Sequence, residues 1–455
     1  MSDVAILGGG ISGLASAYFL SKKGLSSTII EMQPRLGGLI KTDLLHGCQL
    51  EAGPDSYLAA KPDVTELASE LPELSNQIVS TNDEARRIFL VRNGELMPLP
   101  DGMVMMVPGN IRSALRSTLF DDPAKRAILK ERFYKPRERQ QDVSIAEFVL
   151  DHFDRSILEY IAEPLLAGVY GGDAGQLSTA SVLPRFLDYE RKYGSLIRAI
   201  RIERKQPASV ERAGLFLSFR GGMQSLTDSL VRASACAVTR VEGEATRLEQ
   251  TVGRWRIHVG KSSAEARFVI VCLPAHRAAR LFAKSLSTLS QELSAIPYSS
   301  AISVNLVYKR ESFGHPLDGF GFLTPRAERR GVAAATWINT KFPERIPQHF
   351  AALRAFIVDR DAETLIPESD EEILAAAQNE FSRLMGIDAA PIAHTIHRWP
   401  LSMPQYIVGH SARCSRIRAV VTSQPGLFLV GNAYDGIGVP DCVRLARRAV
   451  EEIEL

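Results

Sequence analysis

Glycines near the start of the chain have the spacing of a loop that binds the phosphates of a dinucleotide. Gly8 permits a tight turn, Gly10 lets a pyrophosphate approach the backbone, and Gly13 lets a helix pack closely on a strand. Glu31, further along, can accept hydrogen bonds from ribose hydroxyls and would repel a ribose 2′-phosphate. These residues therefore predict a site for a dinucleotide without a 2′-phosphate.

The segments around these glycines predict the elements that position them. Residues 4–7 form a short apolar run, residues 28–31 form a second one, and Leu14, Ala17 and Leu20 mark one face of a helix between them. The start of that helix offers free N–H groups and partial positive charge to a phosphate. A glycine triplet alone is often only a turn, but the flanking strands and the acid favour the dinucleotide site.

A second set of glycines follows the acid. The doublet at 37–38 comes after Arg35, and a Gly-Pro turn follows at 53–54. A nicotinamide enzyme needs only the first set, whereas this arrangement resembles the FAD-binding amine oxidase superfamily, in which such segments wrap the pyrophosphate and approach the flavin. The family's doublet usually ends in arginine, and Leu39 stands there in this chain. The resemblance implies FAD as the cofactor.

Length and composition indicate a globular protein. A chain of 455 residues can form two or three domains with cores of their own, and 45% hydrophobic and 23% charged residues are typical of soluble proteins. A formal net charge of +2 predicts no attraction to nucleic acid. The five cysteines are dispersed without metal-ligand spacing, which favours reduced thiols and no metal site.

The start of the sequence and its apolar runs predict a cytoplasmic protein. Residues 4–7 already belong to the nucleotide-binding unit, so we expect no signal peptide. No apolar run is long enough to span a bilayer. We therefore expect a soluble protein, with peripheral contact to the inner face of the membrane as an alternative.

The middle of the chain predicts a helix, a hairpin and a helical insertion. Residues 63–74 have a helical pattern with Asp63 as the N-cap, and the Asn93–Gly94 dipeptide between two apolar runs is a strong hairpin signal. Residues 103–108 are apolar and rich in methionine, which favours core packing. A lining for a ligand or a loop that touches a membrane is the alternative. Residues 111–160 are helical in pattern and rich in charge, which predicts a solvated helical face, with a membrane-surface patch as the alternative.

The apolar run at 268–274 predicts a buried strand that returns to the sheet beside strand 4–7. We therefore predict an α/β and α+β fold. It consists of a discontinuous Rossmann-like FAD-binding domain of the glutathione-reductase/p-hydroxybenzoate-hydroxylase type, a mixed-sheet substrate domain and a helical insertion. The predicted bounds are 1–58, 215–295 and 411–455 for the FAD-binding domain, 59–85, 186–214 and 296–410 for the substrate domain, and 86–185 for the helical domain.

A glycine-rich loop near the C-terminus is the most specific stretch after the first turn. We call residues 431–442 the C-terminal loop. An apolar strand leads into it, and a long amphipathic helix follows with Pro440 in its first turn. The start of this helix can aim its dipole at the pyrimidine end of a flavin and stabilise negative charge there. The alternative is an ordinary strand–loop–helix unit.

The C-terminal loop resembles the flavin-binding segment of the oxygen-dependent protoporphyrinogen/coproporphyrinogen oxidase family. Segments 53–58, 168–173 and 398–406 resemble it too, in the family's order over essentially the whole chain. Segment 336–343 is similar to the branch found in monoderm bacteria, which acts on coproporphyrinogen III.

The resemblance implies an activity and its partners. It implies FAD-dependent oxidation of a porphyrinogen in haem biosynthesis, with molecular oxygen as the acceptor and release of hydrogen peroxide. Coproporphyrinogen III is the expected substrate and protoporphyrinogen IX the alternative. A ferrochelatase is the expected partner for product hand-off.

The resemblance also implies the residues of the site. No catalytic side chain and no metal are assigned, because the flavin performs the chemistry. The pyrophosphate and ribose contacts are expected at Gly8, Gly10, Ile11, Ser12, Gly13 and Glu31. The rest of the cofactor site is expected at Arg35, Gly38, Leu39, Gly53, Pro54, Asp55, Ser56, Ala245, Trp399, Gly431, Asn432, Ile437, Gly438 and Val439.

A porphyrinogen needs a flat apolar slot and cations for its propionates. The candidates for the slot are Val169, Tyr170, Phe320, Phe322 and Leu323. Lys61 is the candidate propionate partner, although a solvated surface lysine is the more common interpretation of such a residue.

Two other classes of protein stay open. One is a flavin oxidase of amines or carotenoids; an amine oxidase would show an aromatic pair flanking the flavin, which Trp399 and Tyr434 could form. The other is a non-catalytic FAD protein that acts as a partner or scaffold. The sequence predicts no oligomeric state.

Overall fold

The computed structural model describes residues 3–204 and 214–454 of the protein. The strands are β1 (Val4–Leu7), β2 (Ser27–Glu31), β3 (Thr42–Leu45), β4 (Cys48–Glu51), β5 (Tyr57–Leu58), β6 (Ile78–Ser80), β7 (Ile88–Arg92), β8 (Glu95–Pro98), β9 (Met103–Val104), β10 (Val107–Pro108), β11 (Phe216–Phe219), β12 (Val238–Glu242), β13 (Ala245–Thr251), β14 (Arg254–Val259), β15 (Ser262–Ala266), β16 (Phe268–Val271), β17 (Tyr298–Lys309), β18 (Gly321–Leu323), β19 (Ala334–Trp337), β20 (Phe350–Val358), β21 (Ala393–Pro404) and β22 (Leu427–Leu429).

The helices lie between and after these strands. They are α1 (Ile11–Lys22), α2 (Asp63–Ser69), α3 (Ile111–Arg116), α4 (Asp122–Glu131), α5 (Ile145–His152), α6 (Arg155–Ile157), α7 (Glu163–Tyr170), α8 (Thr179–Val182), α9 (Pro184–Tyr193), α10 (Leu196–Glu203), α11 (Gln224–Ser234), α12 (Ala275–Phe282), α13 (Ser287–Ser294), α14 (Ile338–Lys341), α15 (Asp359–Leu365), α16 (Asp370–Met385), α17 (His410–Thr422) and α18 (Val439–Glu451). Helices α3–α10 follow one another without an intervening strand among the described residues.

A parallel five-stranded sheet forms the nucleotide-binding unit. Its order is β12-β2-β1-β16-β22. The predicted return strand lies where the sequence places it, because β16 pairs with β1 in parallel, from Val4 opposite Phe268 to Leu7 opposite Val271. Both strands are buried along their whole length, since helices α1, α11 and α18 cover one face and strands β13–β15 with α12 and α13 cover the other. The Rossmann-like part of the predicted fold is confirmed.

A mixed seven-stranded sheet forms the second unit. Its order is β21-β17-β20-β19-β18-β7-β8, and only the β18–β7 pair is parallel. The hairpin predicted from Asn93 and Gly94 joins β7 to β8, and both residues have positive φ, as a type I′ turn requires. Helix α16 covers one face of this sheet and shares its core.

Helices α3–α10 pack around one apolar core. The predicted helical insertion is present and continues past its expected end at 185, to Glu203. Met106 and Val107 of the apolar stretch at 103–108 are buried in this core, which supports core packing for that stretch. The hairpin β7–β8 pairs with the seven-stranded sheet, although it lies inside the range predicted to be helical. The domain bounds as such stay a prediction.

The predicted helix at 63–74 is only partly correct. Helix α2 ends at Ser69, and Asp63 is its first residue rather than its N-cap, because Pro62 precedes it with helical backbone angles and no side chain caps the helix. The carboxylate of Asp63 still lies in the first turn, where the helix dipole favours an anion.

None of the helices in residues 3–204 and 214–454 combines the length and apolar character that crossing a bilayer requires. All five cysteines carry free thiols, as the sequence predicts.

Candidate active site

The first glycine turn lies between β1 and α1 and depends on the absence of side chains. A Cβ on Gly13 would lie 2.0 Å from the carbonyl oxygen of Gly8, so helix and turn approach as closely as the sequence predicts. Gly8 has a φ of +104°, which disfavours any other residue there. A Cβ on Gly10 would meet no atom nearer than 3.9 Å, and no side chain caps the start of α1. The turn therefore leaves space and helix N–H groups for a phosphate.

Glu31 is fixed beside this turn. Its carboxylate oxygens accept hydrogen bonds from the backbone N–H of Gly9, at 2.7 Å, and of Gln33, at 2.8 Å. The backbone carbonyl of Glu31 accepts from the N–H of Gly243 at 2.9 Å, and Ala245 begins β13 shortly after. The structure thus brings Ala245 and Glu31 to the same edge of the sheet, as the predicted adenosine contacts require.

The second glycine doublet lies against the first turn. Gly38 has a φ of +58°, and a Cβ there would lie 3.1 Å from the Cα of Gly10. The guanidinium of Arg35 donates to the carbonyl oxygens of Leu36 and Ile40, both at 2.8 Å, and also to that of Gly38. The side chain of Arg35 therefore holds the backbone of the loop at residues 36–40 in place.

Residues 51–56, which we call the Gly-Pro segment, connect the two sheets. The carbonyl oxygen of Ala52 accepts from Ser303 Oγ at 2.7 Å and from Trp399 Nε1 at 2.9 Å. The carbonyl oxygen of Gly53 accepts from the guanidinium of Arg354. Trp399, predicted near the flavin, is thus attached directly to a segment predicted to line the cofactor.

Asp55 in the Gly-Pro segment is held as a carboxylate. It accepts from Lys341 Nζ at 2.7 Å and from Ser56 Oγ at 2.6 Å. Burial favours the neutral acid, but the charges of Lys341 and Arg354 and these hydrogen bonds outweigh it and hold the pKa of Asp55 far below its usual range.

At Glu51, the first residue of the Gly-Pro segment, burial has a larger effect on the pKa than the nearby charges and hydrogen bonds. Its burial raises the pKa, which the nearby Arg345, at 3.2 Å, and the N–H of Met223, at 2.8 Å, only partly oppose. Sequence reasoning missed Lys341, Arg345 and Arg354, because only the fold brings them to residues 51–55.

The C-terminal loop places Asp441 at the start of α18. Its carboxylate accepts from the N–H of Gly438 at 3.1 Å and from Lys61 Nζ at 2.6 and 2.8 Å. The side chain of Asp441 is 6% exposed and that of Lys61 is 42% exposed. Lys61 is therefore neither a free surface lysine nor an unpaired cation, and its predicted propionate contact would compete with Asp441.

The glycine at the start of the loop faces open space. Gly431 has a φ of +156°, and a Cβ built there would meet no atom within 4 Å. Tyr406 holds the loop from outside, because its hydroxyl donates to the carbonyl oxygen of Asn432 at 2.7 Å and accepts from the N–H of Gly436 at 3.0 Å. Tyr406 lies in segment 398–406, which resembles the family, but no spacing rule predicts a role for its hydroxyl.

The candidate slot residues separate into two groups. Tyr170 and Leu323 pack against the helical core, and Leu323 comes within 3.7 Å of the position a Cβ on Gly168 would take. Phe322 packs instead in the core of the seven-stranded sheet, edge-on to Phe381 at 6.3 Å. Consecutive strand residues point to opposite faces, so Phe322 and Leu323 face opposite sides of the sheet, and a place for Phe322 in the slot stays a prediction.

Two slot candidates belong to neither group, and Tyr170 has a shifted pKa. Phe320 is buried, and its backbone pairs with Arg87 and Trp337. The side chain of Val169 lies outside the parts of the chain that the structure describes. Burial raises the pKa of Tyr170 to about 12, so its hydroxyl stays neutral.

The aromatic pair of an amine oxidase does not form from the predicted residues. Trp399 stacks on His397 at 5.9 Å with an interplanar angle of 17°. Tyr434 is buried in the core beneath the five-stranded sheet, together with Leu427 and Cys414. The two rings therefore do not offer matching faces to one ligand.

Comparison with known proteins assigns the family. The family described as flavin containing amine oxidoreductase matches residues 11–454. The chain belongs to this family. It is an FAD-dependent oxidoreductase, and the cofactor prediction is confirmed. The residues described above fit FAD, since the open turn at Gly10, the uncapped start of α1 and the fixed acid at Glu31 match a pyrophosphate next to a ribose.

Relatives cover the whole chain. The chain is 30% identical over 468 residues to a coproporphyrinogen III oxidase of Bacillus subtilis, covering 99% of this chain and 98% of the relative. It is 24% identical to protoporphyrinogen oxidase 2 of Arabidopsis thaliana, covering 98% and 93%. A crystal structure from Exiguobacterium sp. 255-15, whose assignment as a protoporphyrinogen oxidase is provisional, has a TM-score of 0.89 at 29% identity and covers 98% of this chain and 97% of that one.

Within residues 3–204 and 214–454, no group of three or more His, Cys, Asp or Glu side chains is placed to hold a metal ion.

The close packing of Gly13 predicts loss of cofactor in Gly13→Ala. The added methyl would collide with the carbonyl of Gly8, so the turn must open, and we expect FAD to bind roughly 10-fold more weakly or worse. Flavin absorbance per protein after dialysis measures the effect. Gly314→Ala is the matched control, because a Cβ at Gly314 meets nothing within 4 Å. Full FAD occupancy in Gly13→Ala would contradict this account of the turn.

The contact between Lys61 and Asp441 predicts coupling between two distant segments. Lys61→Met should cost about 1 kcal/mol of unfolding free energy or less, because the lysine is well solvated. Asp441→Asn should cost more, about 2–3 kcal/mol, because a buried acceptor of the Gly438 N–H is weakened as well.

Urea unfolding of the two single variants and the double variant measures the coupling. The double variant should lose less than the sum of the two. Strict additivity would refute the coupling. A raised KM for the porphyrinogen in Lys61→Met without loss of stability would favour the propionate role instead.

Proposed function

We propose that the protein oxidises coproporphyrinogen III to coproporphyrin III, with oxygen as the acceptor and hydrogen peroxide as the second product. The observation that carries the proposal is the full-length match to a coproporphyrinogen III oxidase, at 30% identity and with 98% of that relative covered. The match extends through both sheets and the helical core, so it includes every element around the proposed site. The coarser assignment, a porphyrinogen oxidase of haem biosynthesis, is common to the three relatives named above.

The protein's part in this reaction is to hold and orient the cofactor and the substrate. Bound FAD would accept a hydride from the macrocycle in each two-electron step of the oxidation, with loss of a proton from the macrocycle, and would pass the electrons to oxygen, which leaves as hydrogen peroxide. The Gly-Pro segment is held by Ser303, Trp399 and Arg354, so the cofactor side of the site is rigid before substrate arrives. The start of α18 directs partial positive charge towards the cofactor side of the C-terminal loop.

The proposed substrate slot has uncharged side chains close to the charged pair Lys61–Asp441. Tyr170 and Leu323 offer uncharged surface, as a flat macrocycle requires. Asp55 stays ionised near neutral pH because its pKa lies far below its usual range, so it is not a proton donor in the reaction. The roles of the individual cofactor and substrate residues are part of this proposal.

Protoporphyrinogen IX is the second candidate substrate. The Arabidopsis relative is named for it, but at 24% identity compared with 30% for the Bacillus relative. Hand-off of the product to a ferrochelatase, a cytoplasmic location and peripheral contact with a membrane belong to the same proposal, on the strength of the family resemblance.

Porphyrin fluorescence in air tests the proposal. The purified yellow protein is offered coproporphyrinogen III and protoporphyrinogen IX at equal concentrations, with protein-free samples to measure autoxidation. We expect coproporphyrin to form several-fold faster, and hydrogen peroxide to appear with it. A preference for protoporphyrinogen would move the enzyme to the second candidate. Rates no higher than autoxidation for both substrates would overturn the proposal.

A further inference from the structure

The dipeptide Gln405–Tyr406 follows β21 and lies between the cofactor side and the substrate side of the site. β21 also carries Trp399, which is attached to the Gly-Pro segment. The two side chains of the dipeptide are buried, and they contact different segments.

Tyr406 holds the C-terminal loop. Its hydroxyl bridges the carbonyl of Asn432 and the N–H of Gly436, two backbone groups on either side of the turn. Its ring stacks on His410 at 4.0 Å with an interplanar angle of 12°, and His410 Nε2 lies 3.2 Å from the carbonyl oxygen of Tyr434 in the same turn. Burial raises the pKa of Tyr406 well above its ordinary value, so the hydroxyl keeps its proton for Asn432.

Gln405 holds the end of α7. Its side-chain amide donates to the carbonyl oxygen of Tyr170 at 2.6 Å and to Ser299 Oγ at 2.9 Å. Gly172 leaves the space for this contact, because a Cβ there would lie 1.9 Å from Gln405 Oε1. The ring of Tyr406 lies 6.3 Å from that of Tyr170, so both residues of the dipeptide reach the same slot candidate.

We propose that Tyr406 is a positioning residue of the flavin site, and that Gln405 and Tyr406 link the Tyr170 end of α7 to the turn at 432–436. Both side chains are buried and hydrogen-bonded, so a shift of Tyr170 is transmitted through them to the turn that leads into α18. Since a linkage between two sites is reciprocal, the flavin and the substrate influence each other through this dipeptide. The flavin half of the proposal rests on FAD binding at the C-terminal loop, whereas the substrate half also rests on the proposed oxidation of a porphyrinogen.

Tyr406→Phe tests the flavin half. The variant keeps the ring and its stacking on His410 but leaves the Asn432 carbonyl and the Gly436 N–H without their partner. We expect FAD to bind about 10-fold more weakly. The midpoint potential of the bound flavin should fall, because a looser turn aims the positive end of α18 less well at the reduced ring. Fluorescence titration of FAD and a spectroelectrochemical titration measure the two effects.

Tyr189→Phe is the matched control for this experiment. Tyr189 is also buried and also donates its hydroxyl proton, to Glu203, but it lies in the helical core. It should lower thermal stability without changing the flavin potential. An unchanged potential and unchanged FAD affinity in Tyr406→Phe, or the same changes in Tyr189→Phe, would overturn the positioning role.

Gln405→Met tests the substrate half. The methionine has a similar volume but cannot donate to Tyr170 or Ser299. We expect KM for the porphyrinogen to rise several-fold while FAD affinity stays within about two-fold of the parent protein. An unchanged KM would sink the link to Tyr170. If the parent protein oxidises no porphyrinogen, the proposed function fails, and the potential of Tyr406→Phe still decides the flavin half.

Discussion

The hydrogen bonds that hold the backbone carbonyls of the Gly-Pro segment are the constraint on which the site depends. The segment belongs to the nucleotide-binding end of the chain, but the donors to it stand on the other sheet: Ser303 on β17, Arg354 on β20 and Trp399 on β21. These bonds have a defined direction, whereas apolar contacts fix distance but not register. With them, the Gly-Pro segment and the indole of Trp399, which we propose lies near the flavin, are held in one arrangement.

Charged side chains are buried around the Gly-Pro segment that these hydrogen bonds hold. Arg345 and Arg354 are almost completely buried near Glu51 and Asp55, and burial is the main influence on the pKa of both guanidinium groups, which it lowers. An apolar cluster of the same size would be at least as stable, whereas removing one member of such a cluster costs several kcal/mol, about 3–5. Stability alone therefore does not account for these charges. Their effect is directional, since a guanidinium can hold a particular carbonyl in a particular place.

Much of the fold could be predicted because its signals are local. The glycine spacing of the first turn, the Asn93–Gly94 hairpin and the apolar strand at 268–271 each require a certain backbone shape whatever surrounds them. Apart from the bounds of α2, the features that could not be predicted concern residues whose surroundings are set by distant parts of the chain. Phe322 and Leu323 look alike in sequence, and only the packing of α16 and α7 decides which face each occupies. Lys61 has its partner at Asp441, and the hydroxyl of Tyr406 meets backbone groups beyond α17, which no spacing rule reveals.

The central claim is that a flavin held between the two sheets oxidises a porphyrinogen. Anaerobic mixing of the FAD-loaded protein with coproporphyrinogen III tests this claim most directly. The account predicts that the flavin absorbance near its visible maximum bleaches as porphyrin fluorescence appears, and that the colour returns when oxygen is admitted. If the yellow colour persists under substrate while photoreduction still bleaches it, the cofactor is functional but the porphyrinogen does not reach it, and the account is contradicted.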